Sequence, residues 1–125
     1  MEGKSMLNEL RDEIYDDAVK HGLWDEMLIW KLIATNEDFR KSGIADMITC
    51  ASGDETRKNA IVALFLTMEL RELIFAVDDV NHFREKLADV IITALSAAGY
   101  LGIDIDKAVR EKMEINRWRE WRHGK

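Results

Sequence analysis

The feature that most limits how this chain can fold is an absence: its 125 residues contain no proline. Proline ends helices by force, because its ring removes an amide donor and clashes with the preceding turn. Without it, and with only seven glycines, helices can run wherever the apolar pattern calls for them. The chain is also rich in Leu, Ala, Glu, Lys, Arg and Met, which lose little entropy in a helix. It is therefore expected to be all-α. With 47% hydrophobic residues it can supply one core, so residues 1–125 read as a single domain.

Periodicity and capping residues divide the chain into helices. A first helix is expected after Ser5, with Leu7, Leu10, Ile14 and Ala18 on one face, ending at Gly22. Asp25 is placed to cap a second helix to about Ala34, with Leu28, Ile29, Leu32 and Ile33 apolar. Residues 36–53 carry no clear period, and Ile44 to Cys50 predicts only a short helix. Ser52 and Glu55 have capping-box spacing and should open a long helix to about Val77. Asp78 to Asn81 read as a turn, with Asn81 capping the next helix, which runs to about Tyr100 and is stopped by Gly102. Asp104 caps a last helix to about Glu120, with Ile105, Ala108, Val109, Met113 and Ile115 apolar.

The net charge is −6, divided between a segment from Lys107 onward at +4 and the rest of the chain at −10. An acidic body argues against nonspecific duplex binding, which needs cations to displace counterions from phosphates. Trp118 and Trp121, interleaved with Arg117, Arg119 and Arg122, keep a single-strand-binding or interaction module as an alternative. Cys50 is the single cysteine, so no intrachain disulfide can form, and it reads as a small buried thiol. The early acids Glu2, Glu9 and Asp12 break the order of a signal peptide, and a cytoplasmic location is expected. Leu87 to Ile103 is the most apolar stretch, but Asp89, Thr93, Ser96, Gly99 and Gly102 interrupt it. It falls short of the roughly 20 apolar residues of a membrane span and reads as a buried helix. His21, His82 and His123 are too scattered in sequence for a zinc site.

Chemistry concentrates in the two central helices. Glu69 and Glu72 are three apart, about 60° around a helix, so both can reach one ion. Such a pair usually marks a solvated face, but the apolar run Ile61 to Met68 just before it argues for acids turned inward. Asp89 stands among Leu87, Ala88, Val90, Ile91 and Ile92, where a lone buried carboxylate would be costly. It should be paired with Arg57, Arg71 or Arg84, hydrogen-bonded, or bound to metal. Hard Mg²⁺ takes carboxylate oxygens and completes its shell with water and phosphate. Lys112, Asn116 and Arg119 recur at i, i+4 and i+7 on one face of the last helix, with a point charge, an amide and a forked donor suited to phosphates. A solvated basic face is the plainer alternative.

These residues resemble the MazG-like all-α nucleoside triphosphate pyrophosphohydrolases, with phosphoribosyl-ATP pyrophosphohydrolase and the all-α dUTPases as relatives. Glu69-Leu70-Arg71-Glu72-Leu73 resembles the first acidic motif. The C-terminal pattern is carried by Leu87-Ala88-Asp89-Val90-Ile91-Ile92, Leu101-Gly102-Ile103-Asp104-Ile105, Lys112-Met113 with Asn116 and Arg119, and Arg122-His123-Gly124-Lys125. His21-Gly22-Leu23-Trp24-Asp25 resembles a segment near the start of some members. The likeness spans about 55–125, with 26–54 as lineage-specific material. It implies hydrolysis of a nucleoside triphosphate to the monophosphate and pyrophosphate in a homodimer or homotetramer. Mg²⁺ or Mn²⁺ would be held by Glu69, Glu72, Glu85 and Asp89. Glu69 or Glu72 would take the water's proton, Lys112, Asn116 and Arg119 would steady the phosphates, and Trp24 would stack on the base.

One position departs from the family. Its second acidic motif is Glu-x-x-Asp, and here Lys86 stands where the glutamate belongs. Glu85 is the nearest substitute, about 40° from Asp89 around the helix. Lys86 itself could instead enter the site as a built-in cation, which leaves a nucleotide-binding protein with weak turnover as the alternative function.

Overall fold

The computed structural model describes residues 5–41 and 43–119, and every described element is helical. The helices are α1 (Met6–Lys20), α2 (Glu26–Thr35), α3 (Glu37–Lys41), α4 (Ile44–Thr49), α5 (Asp54–Phe75), α6 (Val80–Leu101) and α7 (Ile105–Trp118). Local chemistry sets most boundaries. The Ser5 hydroxyl accepts from the Asn8 amide and opens α1, and the carboxylates of Asp25 and Asp104 accept from Met27 and Lys107 to open α2 and α7. Gly102 ends α6 at φ +69°, a left-handed conformation costly for a residue with a Cβ.

Two expected caps differ. Gly53, not Ser52, stands at the start of α5 and supplies no side-chain bond. Asp79, not Asn81, caps α6 by accepting from the His82 amide, so Asn81 falls inside the first turn. Both are shifts of one or two residues between neighbours that each suit a cap, which local spacing does not separate. The short helix α3 was not foreseen, because its five residues carry no apolar period.

The frame is the antiparallel hairpin of α5 and α6, each 22 residues long. Lys86 meets Glu72 near the turn, and Lys58 lies over the Tyr100 ring near the open end. Helix α1 runs antiparallel along the open half of α6. It comes so close that a Cβ on Gly99 would lie 2.5 Å from the Cβ of Tyr15. Asn8 of α1 donates to Asp104 (2.9 Å) and accepts from the amides of Ile105 and Asp106, while Arg11 donates to the Ile103 carbonyl (2.6 Å). These bonds satisfy free amides at the start of α7 and tie it to α1.

The core sits at the open end of the hairpin, where Ile29 and Ile33 of α2 and Ile48 of α4 close over Ala60, Ile61, Leu64 and Phe65. The stretch 26–54 is therefore integral to the core. Trp24 stacks on Tyr100 at 4.2 Å, sets an edge against Phe65, and donates its indole N–H to the buried Ser96 hydroxyl at 2.9 Å. Cys50 is exposed rather than buried, because it follows the last turn of α4, beyond Ala45 and Ile48, which pack into the core.

Leu87 to Ile103 is buried only in its second half. Leu95 to Ala98 are covered, whereas Leu87, Ile91 and Ile92 are exposed, as are Leu70, Ile74, Phe75, Val77 and Val80 around the hairpin's turn. Helix α1 lies along the open half, and the turn half keeps large apolar side chains in solvent. No single helix among the described residues is long and apolar enough to cross a membrane.

Candidate functional site

Antiparallel pairing brings Glu69 and Glu72 of α5 opposite Lys86 and Asp89 of α6. The Lys86 ammonium lies 3.5 Å from Glu72 Oε1 and 3.7 Å from Asp89 Oδ2. Its side chain is only 22% exposed, against 52% for Glu72 and 45% for Asp89, so the lysine forms the floor and the carboxylates the walls. Glu69 completes the group with an oxygen, Oε2, that is closed off from solvent and has no hydrogen-bond partner.

Glu69 and Lys86 are both shifted upward, for different reasons. Burial raises the Glu69 pKa first, the charges of Glu72 and Asp89 and a hydrogen bond with Glu72 raise it further, and Lys86 pulls it down. The Lys86 pKa is raised chiefly by Glu72, with Asp89 and Glu69 adding to it. The lysine therefore stays charged throughout the physiological range.

Of the acids expected to share a site, Glu69, Glu72 and Asp89 lie near enough to act on one another, with three differences from the expectation. Asp89 is half-exposed rather than enclosed, because the turn half of the hairpin carries uncovered apolar residues instead of a third helix. Its cation is Lys86, its own i−3 neighbour, rather than an arginine, and Arg57 pairs instead with Glu26 of α2. Glu85 faces along its own helix toward His82 at 3.9 Å, is largely exposed, and is absent from the charges that shift Glu69.

The donor chemistry suits a hard cation, but among the described residues no three acids, histidines or cysteines stand close enough to hold a metal ion by themselves. Mg²⁺ seldom needs such a cage, since it is usually bound by one or two carboxylates with phosphate and water oxygens completing the shell. The unpartnered Glu69 oxygen, with Asp89 beside it, fits that mode.

Helix α7 departs from α6 at an angle of 113°. Lys112 is exposed, Arg119 is the C-cap, and Asn116 carries a side-chain oxygen closed off from solvent without a hydrogen-bond partner. No α7 side chain is among the charges that shift Glu69, so the structure groups the acids with Lys86 and leaves the α7 face outside that group. Trp118 and Arg117 both bond to Glu114. Trp121, Arg122, His123, Gly124 and Lys125 lie outside the described residues. Trp24 is engaged in aromatic packing, with one face against Tyr100.

Sequence reasoning missed a cleft of about 710 Å³ between α1 and α6, lined by Leu10, Ile14, Ile91, Ile92 and Leu95 together with Glu13, Asp16, Asp17 and Lys20. Leu10, Ile14, Ile91 and Ile92 were legible as apolar faces. That the faces leave a gap between them depends on the crossing of the helices.

No family model matches this chain, and no solved structure matches it. Among curated proteins it is similar to the dATP/dGTP diphosphohydrolase of Cyanophage S-2L, with 45% identity over 56 residues. The match covers 45% of this chain and 51% of the relative, so the chain spans about half the length of the curated protein it matches.

Proposed function

We propose that this chain is a MazG-like nucleoside triphosphate pyrophosphohydrolase, cleaving a triphosphate to the monophosphate and pyrophosphate with Mg²⁺, or Mn²⁺ in its place. The observation that carries this reading is the convergence of Glu69, Glu72 and Asp89 across the α5–α6 hairpin around a charged lysine. The likeness to a dATP/dGTP diphosphohydrolase supports it, and puts the purine deoxynucleoside triphosphates first among substrates to be tried.

In this reading a divalent ion, when bound, would neutralise phosphate charge and make the attacking water more acidic. Glu69 and Asp89 would hold it from the protein side. Glu69, with its pKa raised by burial, or Glu72 beside it, would receive the proton as water adds to phosphorus and the α–β anhydride bond breaks. Lys112, Asn116 and Arg119 would bind phosphate oxygens, with the forked arginine and the lysine opposing the charge on the leaving pyrophosphate. Trp24 is held by Tyr100, Phe65 and Ser96, and any stacking on a base would have to use a part of the indole that this packing leaves open.

The apolar residues exposed around the hairpin's turn, Leu70, Ile74, Phe75, Leu87 and Ile91 among them, support assembly into a homodimer or homotetramer that buries them. The decisive measurement is pyrophosphate release from a panel of canonical and modified nucleoside triphosphates, starting with dATP and dGTP. We expect Mg²⁺-dependent release by the wild-type chain and a loss of at least about a hundredfold in Asp89→Asn, with the variant's helicity and mass unchanged. A clean wild-type protein that turns over none of the panel refutes the enzyme. Tight nucleotide binding without turnover then selects the second reading, a nucleotide-binding relative, which the contacts of Lys86 with Glu72 and Asp89 favour.

A further inference from the structure

Three acids facing one another need a counter-charge, and the hairpin already contains one. Lys86 Nζ is within 3.7 Å of oxygens on both helices, Glu72 Oε1 on α5 and Asp89 Oδ2 on α6. Its side chain is the most covered of the three. A surface lysine would extend into water and leave the acids to repel each other, whereas this one bridges the two helices beneath the carboxylates. We infer that Lys86 is a resident cation of this site, its ammonium standing where a metal ion would and supplying one positive charge in place of two, so that the nucleotide-free protein takes up a single divalent ion and takes it weakly.

The inference rests on the proposed function for what the site is for, but its physical content is separate. Glu69, Glu72 and Asp89 ionised carry three negative charges and Lys86 one positive, leaving a deficit that one divalent ion neutralises and a second would overfill. An ammonium so placed also repels the incoming ion directly, because unit charges a few ångströms apart interact strongly even in a well-solvated site. It further relieves the repulsion between α5 and α6 before any ion arrives, so the hairpin does not depend on metal to stay closed.

The test is Mn²⁺ binding to the 125-residue chain without nucleotide, followed by calorimetry and by the electron paramagnetic resonance of the free ion. Wild-type protein is expected to bind one ion per chain. Lys86→Met should bind Mn²⁺ at least about tenfold more tightly, Lys86→Glu should take up a second ion, and Lys86→Arg, which keeps the charge, should behave as wild type. Without divalent ions the Met variant should melt at lower temperature than wild type, and Mn²⁺ should raise its melting temperature more than that of wild type. Unchanged Mn²⁺ affinity in Lys86→Met, or two ions bound by wild type, overturns the inference. Should the Met variant fold only with Mn²⁺ present, that rescue supports it, and a failure to fold under both conditions passes the same comparison to Lys86→Gln. Pyrophosphate release is read separately. No turnover by wild type refutes the proposed function while the Mn²⁺ series still decides the role of Lys86.

Discussion

Glu69 shows how one side chain carries both information and cost. Burial and two neighbouring carboxylates raise its pKa in the folded protein, so between its ordinary range and that raised value the folded chain binds more protons than the unfolded one. Stability therefore falls as pH rises through that window and is recovered on acidification. Removing the charge should reverse the cost. Glu69→Gln is expected to raise the melting temperature of the metal-free protein at neutral pH and to flatten this part of its pH dependence, as followed by circular dichroism. A lower melting temperature in the variant would show that Glu69 is held by a favourable partner. The acids themselves were legible, since Glu69 and Glu72 follow an apolar run at helical spacing and Asp89 interrupts another. The lysine's placement between them was legible only as a possibility, because i−3 spacing on α6 gives a neighbour and cannot say which groups α5 will present to it.

At the scale of elements, the packing of α1 on α6 depends on one position. A glycine inside a helix, as Gly99 is in the last turn of α6, is ordinarily a cost in helix propensity. In the structure Gly99 is where the Tyr15 side chain comes against the α6 backbone, leaving no room for a Cβ. The usual gain from replacing a helical glycine by alanine should therefore be inverted. Gly99→Ala is expected to destabilise the protein by about 1–3 kcal/mol through overpacking, measured by urea denaturation, and Gly99→Ala in a Tyr15→Gly background, which removes the opposing Cβ, should recover most of that loss. The caps show the same division. Ser5, Asp25, Asp104 and Gly102 act where they were expected, each bonding within a few residues, while Ser52 and Asn81 lost to Gly53 and Asp79, polar or permissive neighbours that the same spacing rules also admit.

For the whole molecule, the unanswered surface lies around the turn of the α5–α6 hairpin. Ile74, Phe75, Val77 and Val80 are each more than 60% exposed, too much apolar area on one end of a small protein to be incidental. If this end is the contact between copies, a charge placed there should separate them. Phe75→Glu is expected to reduce the mass seen by light scattering to that of one 14.5 kDa chain, with helicity retained. A wild-type protein that is already a monomer at micromolar concentration would remove the oligomer from the proposal.

The sequence by itself determined the class of the fold and the residue types on offer for a site. The absence of proline, the strong caps and the apolar periods act over a few residues and leave no alternative to long helices, and the residue types that suit phosphate and a hard cation can be read one by one. Only the tertiary structure decided which of those residues meet. It joined Glu69, Glu72 and Asp89 through Lys86, turned Glu85 toward His82, took α7 away from α6 at a steep angle and put Trp24 into the core. The physical reason is that helix formation is local, whereas contact between side chains depends on crossing angle and register between elements far apart in the chain.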